Sequence, residues 1–198
     1  MPELVHTKCL SGSNLFLDAV LGGRFPVAMA LSDMEADIHW TNEASRIHGN
    51  ALNVAHTPRQ AEQLLALGLK IERNLLFSKP IENPAVVAAE HNDAPMLLYW
   101  LAKQKEVFAD DGEYIQALYY AAIEMVSMMN QYNMLSCVMA YDELFPILKD
   151  IYSRVEHVSS IRLYLRAMGH IDDEGLDARK KELRKVLNTR KKELSSAL

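Results

Sequence analysis

Residues 83–101 read Asn83-Pro84-Ala85-Val86-Val87-Ala88-Ala89-Glu90-His91-Asn92-Asp93-Ala94-Pro95-Met96-Leu97-Leu98-Tyr99-Trp100-Leu101. Two short apolar runs each open near a proline, and His91-Asn92-Asp93 parts them. Proline suits the first turn of a helix, where its missing N–H is not needed. Asparagine tolerates the left-handed backbone that ends one. The stretch therefore predicts a short helix, a tight turn and a second helix. Paired Ala88-Ala89 falls where the first helix must approach a neighbour closely.

Residues 12–39 repeat the layout. Gly12 leads into Asn14-Leu15-Phe16-Leu17, then Ala19-Val20, the Gly22-Gly23-Arg24 turn, Pro26, Val27-Ala28 and Leu31. Glu35-Ala36-Asp37-Ile38-His39 closes the segment as a polar hairpin. A third copy is weaker. Ala51 to His56 predicts a first helix, Thr57-Pro58 a cap, Ala61 to Leu67 a second helix and Gly68 its stop. Helix pairs this small cannot bury their apolar faces alone, so a recurring layout implies stacked units.

These residues resemble the ankyrin repeat. The family pattern is a Gly, a Thr-Pro-Leu-His helix start, paired Ala, a Gly-His turn, paired Val, paired Leu and a Gly-Ala-Asp-Val-Asn hairpin. In residues 12–39 it is met without a gap by Gly12, Asn14 to Leu17, Ala19-Val20, Gly23-Arg24, Val27-Ala28, Leu31 and Glu35 to His39. Pro84, Ala88-Ala89, Asn92-Asp93, Met96-Leu97, Trp100-Leu101 and Val107 fall at the same offsets. The second unit keeps Leu52, Ala55, Leu64-Leu65, Gly68 and Ile71 but is three residues short between its helices. A fourth keeps Leu118 and Ala121-Ala122. No unit carries a full Thr-Pro-Leu-His. The resemblance covers about residues 12–125 and implies an all-α, ankyrin-like helical solenoid of about four helix–turn–helix units with a C-terminal helical cap. An irregular all-helical domain without hairpins is the alternative; the gapless offsets in two units favour the solenoid.

The expected organisation is a lead-in over 1–11, repeats over 12–133, and C-terminal helices with a basic capping helix over 134–198. Glu113 to Tyr132 predicts one long helix, followed by helices over 144–155, 158–168 and 176–194. The last carries Leu176, Leu183, Val186, Leu187 and Leu194 on one face, with Leu163 and Leu165 as the expected partners on the helix before it. Ten Met, seven between Met96 and Met168, suit irregular helical core.

Formal net charge is −5. Residues 176–198 hold eight Lys or Arg (Arg179, Lys180, Lys181, Arg184, Lys185, Arg190, Lys191, Lys192) against three acids, Asp177, Glu182 and Glu193. The rest of the chain is strongly acidic. Such a tail invites a nucleic-acid or anionic-membrane partner. Its interleaved acids and lack of aromatics favour instead the solvated face of a capping helix, and nucleic acid is disfavoured as a partner.

Chemical motifs are sparse. His6, His39, His48, His56, His91, His157 and His170 show no zinc-site spacing. Gly12-Ser13-Asn14 and Gly22-Gly23 lack the further Gly and Lys of a phosphate loop. Asp172-Asp173-Glu174-Gly175 lacks the sixth-place Gly and closing Glu of a calcium loop. Cys137 has no basic neighbour in sequence. The expectation is no enzyme, no metal and no cofactor. Cys9 and Cys137 are too few for a disulfide framework. The start Met1-Pro2-Glu3-Leu4 lacks a secretory pattern, and no run reaches the roughly 20 apolar residues of a membrane span. A cytoplasmic chain is expected, bacterial or, for a secreted effector, in the host cytosol.

The resemblance implies protein–protein recognition through hairpin tips and first-helix faces, as in an effector or inhibitor. The tips are Asp37, His39 and Trp40, then Glu72 and Arg73, then Phe108, Asp110 and Asp111. First-helix positions are Leu21, Glu90, His91 and Glu124. Trp40 is either a binding anchor or covered by the 41–48 loop. The acids Glu82, Glu90, Glu106, Asp110, Asp111, Glu113 and Glu124 suggest a partner with a basic surface. The alternative is a nucleic-acid-binding protein using the basic C-terminal helix.

Overall fold

A computed structural model describes residue 9 and residues 12–41, 50–73 and 83–196. Residues 1–8, 10–11, 42–49, 74–82 and 197–198, Glu82 among them, lie outside the described residues. Those described form an all-helical protein without a β-strand. Ten α-helices run in order: α1 Leu15–Leu21, α2 Phe25–Asp33, α3 Pro58–Ala66, α4 Pro84–Glu90, α5 Ala94–Val107, α6 Gly112–Met129, α7 Tyr132–Ala140, α8 Phe145–Ser153, α9 Val158–Gly169 and α10 Asp177–Ser196. A 3₁₀ turn, Glu174–Leu176, leads into α10. No helix is long and apolar enough to cross a membrane among the described residues.

The chain divides into two compact units. One comprises Met1–Ala88 with Pro95–Asp110, the other Ala89–Ala94 with Asp111–Leu198.

In the first unit, local chemistry sets each boundary. Asn14 accepts from the Leu17 N–H at 2.8 Å and opens α1. Gly23, at φ +67°, ends it. Pro26 sits in the first turn of α2. Thr57 accepts from the Gln60 N–H at 3.2 Å while Gln60 reaches back to the His56 N–H at 2.9 Å, and Pro58 follows as the first residue of α3. α1 packs on α2.

α2 and α3 share several features at their middles and ends, though only α3 has a side-chain cap. Each has nine residues. Ala28 in one and Ala61 in the other are wholly buried. Each ends with a left-handed residue, Glu35 or Gly68. The Ala36 N–H bonds the Leu31 carbonyl at 3.0 Å, and the Leu69 N–H bonds the Leu64 carbonyl at 3.3 Å. Each matched pair is separated by the same interval, Ala28 to Ala61 or Leu31 to Leu64. α1 and α4 are likewise both seven residues long, with an asparagine before each and a left-handed residue, Gly23 or Asn92, just after.

The second unit's expected first helix over Ala51 to His56 does not form. Residues 51–54 are turns. The Asn50 side chain takes the Leu52 and Asn53 N–H groups at 2.9 and 3.1 Å, which competes with a helical ladder.

Glu35 and Gly68 yield a paired expectation. A side chain at positive φ costs about 1–2 kcal/mol. Part of that returns because glycine is freer when unfolded. Glu35→Gly should therefore stabilise by about 0.5–1 kcal/mol, and Gly68→Ala, at φ +100° with open space around it, should destabilise by at least as much. Urea titration of both variants checks this. A shift of the same sign in the two would contradict the shared helix end.

In the other unit α6 is a single helix of 18 residues, capped by Asp111 and ended by Asn130 at φ +51°. α7 was not expected from the sequence. α6 packs on α7 and α8, α7 on α8 and α9, and α10 on α8, α9 and the 3₁₀ turn. Met134, Met139 and Met168 fill this core, whereas Met128 and Met129 are exposed.

Candidate functional site

The eleven candidate residues fall into both units. Asp37, His39, Trp40, Glu72, Arg73, Phe108 and Asp110 belong to the first; Glu90, His91, Asp111 and Glu124 belong to the second.

In the first unit the segment after α2 is tied back to the start of α1. Asn14, besides capping α1, donates from Nδ2 to the Asp37 carbonyl at 2.6 Å. The Asp37 carboxylate accepts from the His39 N–H at 3.0 Å. Trp40 donates from Nε1 to the Gly12 carbonyl at 3.1 Å and is half-buried. It holds the hairpin to the start of the segment and is not a fully exposed anchor. Leu21 is half-buried, and its carbonyl is bonded by His56 Nε2 at 3.2 Å. That distance suits the tautomer protonated at Nε2.

The later tips meet each other. Arg73 lies over the Phe108 ring with its guanidinium carbon 4.9 Å from the centroid, a cation–π arrangement. Glu72 and Asp110 are exposed and make no ion pair among the described residues. The two segments so joined offer a half-buried aromatic ring under a cation, and each carries an exposed acid, Glu72 or Asp110.

A cluster that the sequence did not single out joins α3 to α5. Tyr99 donates to Glu62 at 3.0 Å, and Lys103 pairs with Glu62 at 3.2 Å and with Glu106 at 3.5 Å. The Tyr99 ring stands edge-on to buried Trp100, centroids 4.9 Å apart. Burial, then the hydrogen bond to Glu62, drives the Tyr99 phenol far above its usual range. The Lys103 hydrogen bond, then that of Tyr99, holds the Glu62 carboxyl below its ordinary 4.5. A depressed carboxyl contributes stability above its unfolded pKa and loses it as pH falls through the folded value. The melting-temperature gap between the parent and Glu62→Gln should therefore be full at neutral pH and close below about 4.5. A gap that widens on acidification would reverse the assigned sign. The sequence signal was there: Tyr99 and Lys103 are four apart and share a helix face.

In the second unit Asp111 has a structural duty. Its carboxylate accepts from the Tyr114 N–H at 3.0 Å and caps α6. Glu90 is half-buried and His91 exposed. Glu124 is exposed on α6 and lines a cleft of about 460 Å³ with Tyr120, Ser127, Glu156, His157 and Tyr164. Tyr120 donates to Asp150 at 2.9 Å, and Arg154 pairs with the same carboxylate. Tyr164 stacks on buried Tyr152 with centroids 4.6 Å apart. Burial first, then the Glu124 charge, raises the Tyr164 phenol. The Asp173 carboxylate takes the Gly175 N–H at 2.9 Å, which opens the 3₁₀ turn. Among the described residues no three His, Cys, Asp or Glu side chains come together as metal ligands.

Compared with protein-family models, curated proteins and solved structures, the chain matches none.

Proposed function

We propose that residues 12–110 are a short ankyrin-like array whose work is to bind another protein, without catalysis of its own. The spacing of α2 and α3 carries this proposal. Two nine-residue helices with the same buried alanine, the same left-handed stop and the same closing hydrogen bond recur at one interval, as expected of stacked repeat units. Short interhelical turns at Gly23 and Asn92 fit the same plan. The partner-facing residues are the tips, with Arg73 and Phe108 as the anchor and Glu72 and Asp110 facing a basic partner surface. The biological role we assign is an effector or inhibitor docking on one cellular protein, in a bacterial or a host cytosol.

The test compares capture of proteins from candidate lysates by the immobilised parent and by a Glu72→Lys, Asp110→Lys double variant. Asp111 is left intact because it caps α6. The parent should retain one protein at physiological salt. The variant should retain it about ten-fold less well, mainly through slower association at low salt, with unchanged helical circular dichroism. Equal capture by both would remove the tips as the interface. Absence of any saturable capture would count against protein binding itself.

A further inference from the structure

The charges of α10 are sorted by the fold. Three of its eight cations turn inward and bond main-chain carbonyls. Arg179 reaches the Met139 carbonyl in the last turn of α7 and pairs with Asp142. Lys180 donates to the Ile171 carbonyl at 3.0 Å, just past α9, and pairs with Asp177. Arg190 donates from Nε to the Val155 carbonyl at 2.9 Å, just past α8, and pairs with Glu193. Each cation thus sits at or just beyond a helix C-terminus, where unsatisfied carbonyls gather negative potential. The third acid, Glu182, pairs with Lys149 of α8.

The interleaved acids of the tail are therefore all engaged with cations of that inward set or of α8. Lys181, Arg184, Lys185, Lys191 and Lys192 remain, and none of the five forms an ion pair among the described residues. Four are exposed and Lys191 is half-buried. At 3.6 residues per turn they occupy about 120° of the helix circumference and run for about 16 Å along the axis. Buried Leu183 and Leu187 lie to one side of the stripe, and half-buried Lys191 forms the stripe's edge nearest to them.

We infer that this stripe binds the phosphate backbone of a nucleic-acid duplex, without reading its sequence. The stripe offers charge and nothing else, and that selects the partner. A single-stranded partner needs aromatic platforms for its bases, and α10 has no aromatic residue. Stable seating on a membrane surface calls for an apolar or lipid anchor beside the cations, and α10 exposes no large hydrophobic residue. A protein interface centres on an apolar or aromatic anchor, which this face lacks. A duplex presents a phosphate charge for about every 1.7 Å of its axis and is held by cations alone. Sites of this kind bind by counterion release, so affinity falls steeply with salt. Five phosphate contacts give a slope of log affinity against log salt of about −4.5, or about 500-fold between 50 and 200 mM.

The experiment uses the full chain and a fluorescent 24-base-pair DNA duplex of arbitrary sequence, with one of its strands as the single-stranded probe. The stripe variant carries Lys181→Gln, Arg184→Gln, Lys185→Gln, Lys191→Gln and Lys192→Gln. A control carries Arg24→Gln, Arg59→Gln, Lys70→Gln, Arg162→Gln and Arg166→Gln, the same change in net charge at five other exposed positions. The parent and the control should bind the duplex at 50 mM salt with the stated slope, and the stripe variant should lose at least 30-fold. If the stripe variant does not fold, Lys191→Gln with Lys192→Gln should lower the slope by about 2. The inference is overturned if the parent does not bind the duplex, if the control loses as much as the stripe variant, or if the single strand binds as tightly. It is equally overturned if phosphatidylserine vesicles, and not the duplex, retain the parent.

Discussion

A chain ending at Gly175 should fail to hold residues 111–175 in their folded form. The cut removes Leu176, Leu183 and Leu187, all buried, the last two completely. Burying each such side chain is worth about 1.5–3 kcal/mol, and the three together rival the 5–15 kcal/mol that typically holds a whole domain. It also uncovers the α8 and α9 surfaces on which α10 packs. Arg179, Lys180 and Arg190 leave with it, so the carbonyls of Met139, Ile171 and Val155 lose their donors. The expected result is aggregation, or a melting transition lost from the part that carried α6 to α9. Leu187→Ala is the graded form of the same experiment and should cost about 2–5 kcal/mol in urea titration. A truncated chain that melts like the parent would mean that α10 is an appendage. The readout is stability and not nucleic-acid binding, and Leu187→Ala leaves all five stripe cations in the chain.

The α10 leucines were legible from their spacing, and α10 does pack on the preceding helix α9, but also on α8, and the residues expected beneath it were less legible. Leu163 was expected beneath them and is instead about half exposed, its carbonyl bonded by Asn130 at 3.3 Å. Periodicity identifies an apolar face and says nothing of which neighbour covers it. The helix–turn–helix segments at 12–34 and 83–107 were legible because glycine, asparagine and proline mark their turns locally. α7 was missed for the converse reason. The boundary Asn130-Gln131-Tyr132-Asn133 is polar but holds no glycine or proline, and the break rests on Asn130 adopting a left-handed backbone that glycine supplies elsewhere. Residues 51–54 were misjudged because a side chain, Asn50, outbids the backbone over too short a span. Among the candidate residues, Asp111 also caps α6, a duty that Asp-Gly-Glu ahead of a helix makes legible in the sequence. The tail's charges are countable in sequence but their pairing is not: folding pairs Asp177 with Lys180, Glu182 with Lys149 and Glu193 with Arg190.

The buried amide pair of Asn83 and Gln104 should be the other large energetic lever, in the first unit. Both side chains are essentially inaccessible. Asn83 donates to Gln104 Oε1 at 2.7 Å, and Gln104 donates to Asn83 Oδ1 at 2.9 Å. The same Asn83 oxygen takes the Ala85 N–H at 2.9 Å and opens α4. Asn83 thus ties the start of α4 to α5, much as Asn14 ties α1 to the Asp37 hairpin. Gln104→Leu keeps the volume but leaves the Asn83 amide without its Gln104 acceptor in an apolar setting. Losing a hydrogen bond between buried polar groups costs about 1–3 kcal/mol, and a loss in that range is expected in urea titration. Gln104→Glu should be worse at neutral pH, since burial penalises the new carboxylate, and should recover as the pH falls and the carboxyl is protonated. The recovery has this sign because burial raises the folded-state pKa above the unfolded one, so the folded form binds the extra proton. Asn83→Ala made in the Gln104→Leu background should cost less than in the parent, with a coupling of at least about 1 kcal/mol. It should not fall to zero, because the Ala85 N–H still loses its cap. Additive costs in that cycle would mean that the two amides do not hold each other and that α4 is anchored in another way.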